Sequence, residues 1–190
     1  MAAAEIDGGK LNMSNTQKTA AGGLTAALCA TMMFLTGLIP IGQYAFPAIA
    51  GMVILSFSYA AGKRWAFYSF AATAVITIFI CSDKEAVTIF TLILGYYPLI
   101  RDSLEKIQKR VLSYLIKLFI FNATAGVYYA IAIMLIEIDP EEFNLFGVSL
   151  PFLFLLFANL AFIMYDKMLK IFEIRYKTFI KKTIKNIFRQ

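Results

Sequence analysis

Long apolar runs separated by short polar segments dominate the pattern along this chain. Six of these runs are long enough to predict helices that cross a lipid bilayer, which takes about 20 mostly apolar residues. The runs cover residues 20–38, 44–61, 65–81, 86–100, 111–138 and 146–165. The pattern therefore predicts an all-α, polytopic membrane protein, a bundle of six transmembrane helices.

The segments outside the apolar runs predict three regions. Residues 1–19 are small and polar and predict a disordered cytoplasmic arm, and residues 20–165 form the transmembrane domain. Residues 166–190 predict a basic amphipathic cytoplasmic helix, because apolar residues recur there every three or four positions among lysines and arginines. The tail is expected to lie on anionic lipids of the inner leaflet, and docking on a cytoplasmic partner is the alternative.

Two connections carry further expectations. The sequence Gly95-Tyr96-Tyr97-Pro98 near the end of the short fourth run predicts a kink or an early break. Segment 101–110, which follows, is charged with apolar residues at Leu104 and Ile107, so we expect a short surface helix.

The lysines and arginines predict the orientation of the spans. With the N-terminus inside, sixteen of the 18 basic residues fall in cytoplasmic segments. Of the other two, Lys84 lies in an outer loop and Lys117 lies within the fifth helix. The distribution predicts a multi-pass protein of the cell membrane with both termini in the cytoplasm. It also accounts for the basic isoelectric point, so nucleic-acid binding is not expected.

Composition narrows the possible functions. The 190 residues are 60% hydrophobic and only 16% charged, against about 25% charged residues in a typical soluble domain. Six spans use nearly the whole length and leave no room for a soluble catalytic or ATP-binding domain. The chain contains no histidine, which excludes the common zinc sites, haem ligation and His-based triads. Neither an enzyme nor a metal or cofactor is expected.

Polar residues inside the apolar runs are the candidates for function, because lipid penalises them. Asn122 and Asn159 lie near the middle of the fifth and sixth helices, where they either hydrogen-bond each other or line a polar pocket. Lys117 has three interpretations: it reaches the headgroups, it pairs with Asp166, or it binds a coupling ion or substrate.

Two further features lie at the first outer loop and on the first helix. Gln43 and Tyr44 follow a turn without charge, which either folds over a pocket mouth or forms a plain interfacial turn. Ala26 and Ala30 form an A-x-x-x-A pair on a small-residue face that permits close helix packing, within the protein or against a partner.

The layout of residues 20–165 resembles the substrate-binding S components of energy-coupling factor transporters. The stretch LTAALCATMMFLTGLIPIG at 24–42 carries most of the resemblance, with its small-residue face followed by a Pro-Gly outer loop. The resemblance implies that Ala26 and Ala30 contact a membrane coupling subunit that works with ABC-type ATPases. It also implies that the first outer loop, with Gln43 and Tyr44, caps a small-molecule ligand. The further ligand candidates are Thr88, Asn122 and Asn159.

The leading hypothesis is accordingly a substrate-capture subunit for uptake of a vitamin-like small molecule, energised by a separate ATPase and coupling complex. The alternative is a non-catalytic structural or regulatory subunit of a membrane complex, which the scarcity of polar residues in the outer half favours. A stand-alone ion-coupled carrier comes third, because the bundle has no acidic residue at its midplane and no evident inverted repeat.

Overall fold

The computed structural model is almost entirely α-helical, which confirms the predicted all-α class. It describes residues 6–7, 10–11, 13–39, 42–136, 144–145 and 148–187. Residues 40–41 of the first outer loop and residues 137–143, around the end of the fifth apolar run, lie outside the described residues. The α-helices are α1 Asn15–Thr36, α2 Ala45–Ala61, α3 Lys63–Ile80, α4 Lys84–Ile89, α5 Tyr97–Glu105, α6 Arg110–Ile136 and α7 Leu150–Ile187.

Short strands accompany the helices at two places. Strands β1 Ile6–Asp7 and β2 Lys10–Leu11 pair antiparallel before α1, with Ile6 opposite Leu11. Strands β3 Asn144–Leu145 and β4 Val148–Ser149 pair in the same way before α7, with Asn144 opposite Ser149. Each pair is two residues long, so the strands add only local turns to a helical protein.

The chain divides into two compact units. The first unit comprises Met1–Ile100 and Leu169–Gln190, and the second comprises Arg101–Met168. Helix α7 therefore contributes its first part to the second unit and its last part to the first. The sequence placed a boundary between residues 165 and 166, whereas the helix runs through that point without a break.

Helix α1 begins at Asn15, inside the segment predicted as a disordered arm. Its start is set by a capping box: the Ser14 hydroxyl accepts a hydrogen bond from the Gln17 amide, and the Gln17 side chain accepts one from the Ser14 amide. These two bonds satisfy amides that a helix start otherwise leaves without partners.

Helices α1, α2 and α3 pack on one another and form the core of the first unit. Its largest buried apolar side chains include those of Met33, Ile54 and Phe70. Helices α1 and α3 approach closely at Gly22, whose carbonyl accepts a hydrogen bond of 3.1 Å from the Ser69 hydroxyl. A glycine permits this approach because a larger residue would add a side chain between the helices.

The fourth apolar run is interrupted, as the Gly-Tyr-Tyr-Pro sequence predicts. After α4, residues Phe90–Leu94 form a π-helical segment that ends with the Gly95 amide bonded to the Phe90 carbonyl at 2.7 Å. Pro98 lies in the first turn of α5, where its missing amide hydrogen costs no helical hydrogen bond. The run therefore consists of α4, the π-helical segment and α5.

Within the part of the chain that the structure describes, two stretches are long and apolar enough to cross a membrane by length and composition: α1 and the segment Val111–Ile131 of α6. Their apolar windows are 28% and 17% buried, respectively. The core helix of a soluble protein is mostly buried, and these windows are mostly exposed. Helix α2 is apolar as well but shorter.

Candidate functional site

A cluster of four charged side chains lies inside the second unit, and we take it as the candidate functional site. Its members are Arg101, Glu105, Lys117 and Asp166. Arg101 and Glu105 lie on α5, Lys117 on α6 and Asp166 on α7. The side chains of Arg101, Lys117 and Asp166 are 0%, 4% and 8% exposed, and that of Glu105 is 32% exposed.

Each carboxylate of this charge cluster contacts both cations. Asp166 accepts hydrogen bonds of 3.0 Å from Arg101 Nε and from Lys117 Nζ. Glu105 accepts one of 2.7 Å from Arg101 Nη2 and a longer one of 3.3 Å from Lys117. The two positive and two negative charges balance, as a buried ionic cluster requires, because an unpaired charge away from water is very costly.

Local helix geometry brings these side chains together. Arg101 and Glu105 are one turn apart on α5, so their side chains lie on the same face. Lys117 and Ser113 are also one turn apart on α6, and both are buried. The Ser113 hydroxyl bonds the Leu104 carbonyl at 2.9 Å, which fixes the start of α6 against the end of α5. The charge cluster thus joins three helices.

The sequence identified only part of this cluster. Pairing of Lys117 with Asp166 was one of three interpretations, and the structure has that pair. Arg101 was expected on a surface helix, but it is completely buried. The available signal was the Arg-x-x-x-Glu spacing at the start of segment 101–110, which favours an ion pair on one helix face. The partner on α7 lies 65 residues away and has no local signal.

Asn122 and Asn159 hydrogen-bond each other. Each amide nitrogen donates to the oxygen of the other side chain at 3.0 Å, and each also donates to the carbonyl four residues earlier in its own helix. Phe121 and Phe162 stack nearby between the same two helices with ring centroids 4.4 Å apart. The amide pair therefore joins α6 to α7, which is the first of the two interpretations of these residues.

Gln43 and Tyr44 both bind Glu85 at the start of α4. The Gln43 amide donates to one carboxylate oxygen at 2.8 Å, and the Tyr44 hydroxyl donates to the other at 3.0 Å. Partial burial and the charge of Glu85 raise the pKa of Tyr44 above its ordinary value. These bonds tie the α1–α2 connection to α4 within the first unit.

The remaining predicted residues are Thr88, Ala26 and Ala30. The Thr88 hydroxyl donates to the Lys84 carbonyl of its own helix at 2.7 Å. Ala26 is 4% exposed and Ala30 is half-buried, so Ala26 packs inside the protein rather than on an open face. Contact of these two alanines with a partner stays a prediction.

Thiols and carboxylates are the remaining groups of chemical interest among the described residues. Within the described residues, no three cysteine, aspartate or glutamate side chains group as metal ligands would. Cys29 and Cys81 are buried free thiols. The carboxylates of the charge cluster have cations as their nearest partners, so the arrangement acts as an ionic connection among helices.

Comparisons with known proteins give no relative for this chain. No family model matches it, and neither a curated protein nor a solved structure matches it. Functional conclusions therefore depend on the residues and contacts described above.

Proposed function

We propose that the protein is a non-catalytic structural or regulatory subunit of a membrane complex. It has six transmembrane spans and both termini in the cytoplasm. The observation that carries the proposal is the pairing of the polar side chains inside the apolar helices. Asn122 pairs with Asn159, and Lys117 pairs with Asp166. These groups hold helices together and are already occupied, so a ligand has to displace an internal partner before it can bind them.

Exposed apolar surface supports the membrane location. Phe79, Phe119 and Leu24 are 82%, 76% and 73% exposed, and many other apolar side chains on the helices are more than half exposed. Water does not favour so much exposed apolar surface, whereas lipid or another membrane helix does. The concentration of lysines and arginines in alternate connections supports six spans with cytoplasmic termini.

The C-terminal part of α7 is the segment we assign to assembly. Tyr176 packs on Tyr59 of α2 with ring centroids 5.5 Å apart, and its hydroxyl donates to the Ser56 carbonyl at 3.4 Å. Five of the chain's 18 lysines and arginines lie beyond Tyr176. The proposal is that this basic end binds a cytoplasmic partner.

The test compares the tagged full-length protein with a variant that ends at Thr178. This truncation removes four of those five basic residues but keeps Tyr176 and its contacts with α2. Each protein is purified from its native membrane in mild detergent, and co-purifying proteins are identified by mass spectrometry. We expect a defined set of partners with the full-length protein and loss of that set with the truncation. An unchanged set, or a full-length protein that purifies alone, contradicts the assignment.

A substrate-capture subunit for a vitamin-like molecule is the second candidate. It is favoured by the two hydrogen bonds from Gln43 and Tyr44 to Glu85, which close the first outer loop onto α4. This is where the resemblance to S components places a cap over a ligand. The partners would be a membrane coupling subunit and ABC-type ATPases, which the same purification detects.

Ligand binding distinguishes the two candidates. A ligand present at about 100 times its dissociation constant stabilises a protein by about 2.7 kcal/mol. A panel of water-soluble vitamins is screened for an increase in the melting temperature of the detergent-purified protein. Substrate capture predicts an increase with one vitamin, reduced in the Glu85→Gln variant. No increase with any of them, together with partners unrelated to ATPases, supports the structural subunit.

A further inference from the structure

A cavity on α3 lies apart from the residues considered so far. It has a volume of about 250 Å³ and is open to the surface, and it is lined by Lys63, Arg64, Phe67 and Tyr68. Lys63 and Phe67 are four residues apart, as are Arg64 and Tyr68, so each pair lies along one side of the first turns of the helix and the two pairs are neighbours. Phe67 is 53% exposed and Tyr68 is 63% exposed. The cavity therefore combines two cations with two exposed aromatic rings.

Both charged residues that line the cavity are cations. Helix α3 has no acidic residue in its first turn. Among the described residues, no carboxylate forms an ion pair with Arg64. A guanidinium group presents a planar set of donors that matches the oxygens of a phosphate, and the ammonium group of Lys63 adds a second charge. The two cations of the cavity have the chemistry to bind a phosphate group.

The lining surface of the cavity is mainly apolar, and the rings of Phe67 and Tyr68 belong to it. A free phosphate gains nothing from such a surface, whereas an acyl chain buries apolar area there. Along this part of α3 the cations come first and the aromatic rings follow. A phospholipid has the matching order, with a charged headgroup at one end and an apolar acyl chain behind it.

We infer that this cavity binds an anionic phospholipid, with the phosphate at Lys63 and Arg64 and an acyl chain along Phe67 and Tyr68. The inference depends on the proposed membrane location and on the connection between α2 and α3 facing the cytoplasm. It is separate from binding of the basic C-terminal tail to lipid, because it concerns one site on one helix with a defined occupant.

The only tryptophan of the chain, Trp65, makes the site directly measurable. It belongs to the same turn as the cavity residues, is half-buried, and contacts the Tyr68 ring edge-on with centroids 6.1 Å apart. Brominated acyl chains quench tryptophan fluorescence only at short range. Trp65 therefore reports which lipid occupies the surface beside it, with no added probe.

The experiment uses the full-length protein in lipid nanodiscs with a minor fraction of anionic phosphatidylglycerol in zwitterionic phosphatidylcholine. Bromine is placed first on the anionic lipid alone and then on the zwitterionic lipid alone. We expect brominated phosphatidylglycerol to quench Trp65 several-fold more than its share of the bilayer predicts. Quenching in proportion to that share overturns the inference.

Three variants locate the effect. Lys63→Ala/Arg64→Ala should bring the quenching down to the share of the anionic lipid in the bilayer. Lys106→Ala/Lys109→Ala removes the same charge from exposed positions elsewhere and should leave the excess quenching in place. An equal loss in both double variants means that net charge alone attracts the lipid, which overturns the assignment to this cavity. The variant Arg64→Lys keeps the charge and should lose part of the excess, because it lacks the paired donors.

Two further measurements distinguish the ways in which the inference could fail. Inorganic phosphate added to the nanodiscs should not relieve the quenching, and relief would identify a soluble phosphate as the occupant instead of a lipid. Nanodiscs made entirely of brominated phosphatidylcholine test whether Trp65 meets lipid at all. Absence of quenching there contradicts the membrane location on which the proposed function depends. Quenching there without anionic preference overturns only the lipid site.

Discussion

At the scale of single residues, the charge cluster restricts how the helices of the second unit can pack. Three of its four members are nearly or completely buried, and they lie on three different helices. A buried pair contributes little net stability by itself, but removal of one partner leaves a charge without compensation. The cluster therefore selects the arrangement in which α5, α6 and α7 bring all four groups together.

Replacement of Lys117 by methionine should reveal this dependence. The Lys117→Met variant keeps the length of the side chain but leaves Asp166 with Arg101 as its remaining cation. We expect the free energy of unfolding to fall by about 3 kcal/mol, measured by thermal unfolding in detergent. Lys106→Met, at an exposed position between α5 and α6, is the control and should change the free energy of unfolding by less than about 0.5 kcal/mol. Equal effects in the two variants would show that burial of Lys117 has no energetic consequence.

The hydrogen-bonded asparagine pair predicts how the losses of unfolding free energy in single and double variants combine. Asn122→Leu and Asn159→Leu each leave one amide without its partner, at a cost of about 1 kcal/mol. The double variant leaves neither amide unpaired, so its loss should be smaller than the sum of the single losses. Unfolding free energies of the four proteins form the double-mutant cycle. Strictly additive losses would mean that the hydrogen bonds between the two side chains do not stabilise the fold.

At the scale of the helices, small residues decide how closely neighbours approach. Gly22 and Gly23 are adjacent on α1 but have different surroundings. A Cβ added at Gly22 would lie 3.0 Å from Ser69 Oγ of α3, whereas a Cβ at Gly23 would meet nothing within 4 Å. Substitutions at these two neighbouring glycines therefore distinguish the effect of helix packing on stability from the effect of intrinsic helix propensity.

Alanine at these two positions should have opposite effects. Gly22→Ala forces α1 and α3 apart by a few tenths of an ångström and weakens the bond from Ser69, so we expect a net loss of about 1 kcal/mol. Gly23→Ala should stabilise the helix by up to about 1 kcal/mol, because alanine loses less conformational freedom on folding. Melting temperatures of the two variants in detergent provide the comparison. Stabilisation by both would mean that the close approach at Gly22 is unimportant.

The start of α1 also depends on a specific pair of residues. The capping box of Ser14 and Gln17 begins the helix before the apolar run does. Ser14→Ala should cost about 1 kcal/mol of local stability. Amide hydrogen exchange should speed up in the first turn and stay unchanged in the middle of α1. Thr19→Ala is the control, because the Thr19 hydroxyl only donates back to the Asn15 carbonyl. Unchanged exchange in the first turn of Ser14→Ala would contradict a role for the cap.

At the scale of the whole molecule, the distribution of charge predicts the direction in which each connection faces. Alkaline phosphatase is active only outside the cytoplasm, so fusions to truncated chains report this direction. We expect phosphatase activity for a fusion after Asp83. We expect none for a fusion after Lys106, because the basic residues of segment 101–110 keep that connection in the cytoplasm. Expression of each fusion is checked by immunoblot. The reverse pattern would contradict the orientation, and activity of both would contradict a span between them.

The sequence allowed several parts of the structure to be predicted for local reasons. The helical class followed from apolar run length, and the break near Gly95 followed from glycine and proline chemistry. The start of α1 was missed although its signal was present, because Ser14 and Gln17 form a capping box that precedes the apolar run. The sixth apolar run and the basic tail were both predicted to be helical, and the structure has them in one helix, α7.

The sequence by itself determined the helical class and the charge asymmetry, and it offered the pairing of Asn122 with Asn159 and of Lys117 with Asp166 among its alternatives. Only the tertiary structure decided that Arg101 is buried beside Asp166, that Gln43 and Tyr44 share Glu85, and that Ala26 packs internally. The physical reason is the range of the interactions. Helix formation and membrane preference depend on neighbours within a few turns, whereas these contacts join side chains far apart along the chain and exist only once the helices have packed.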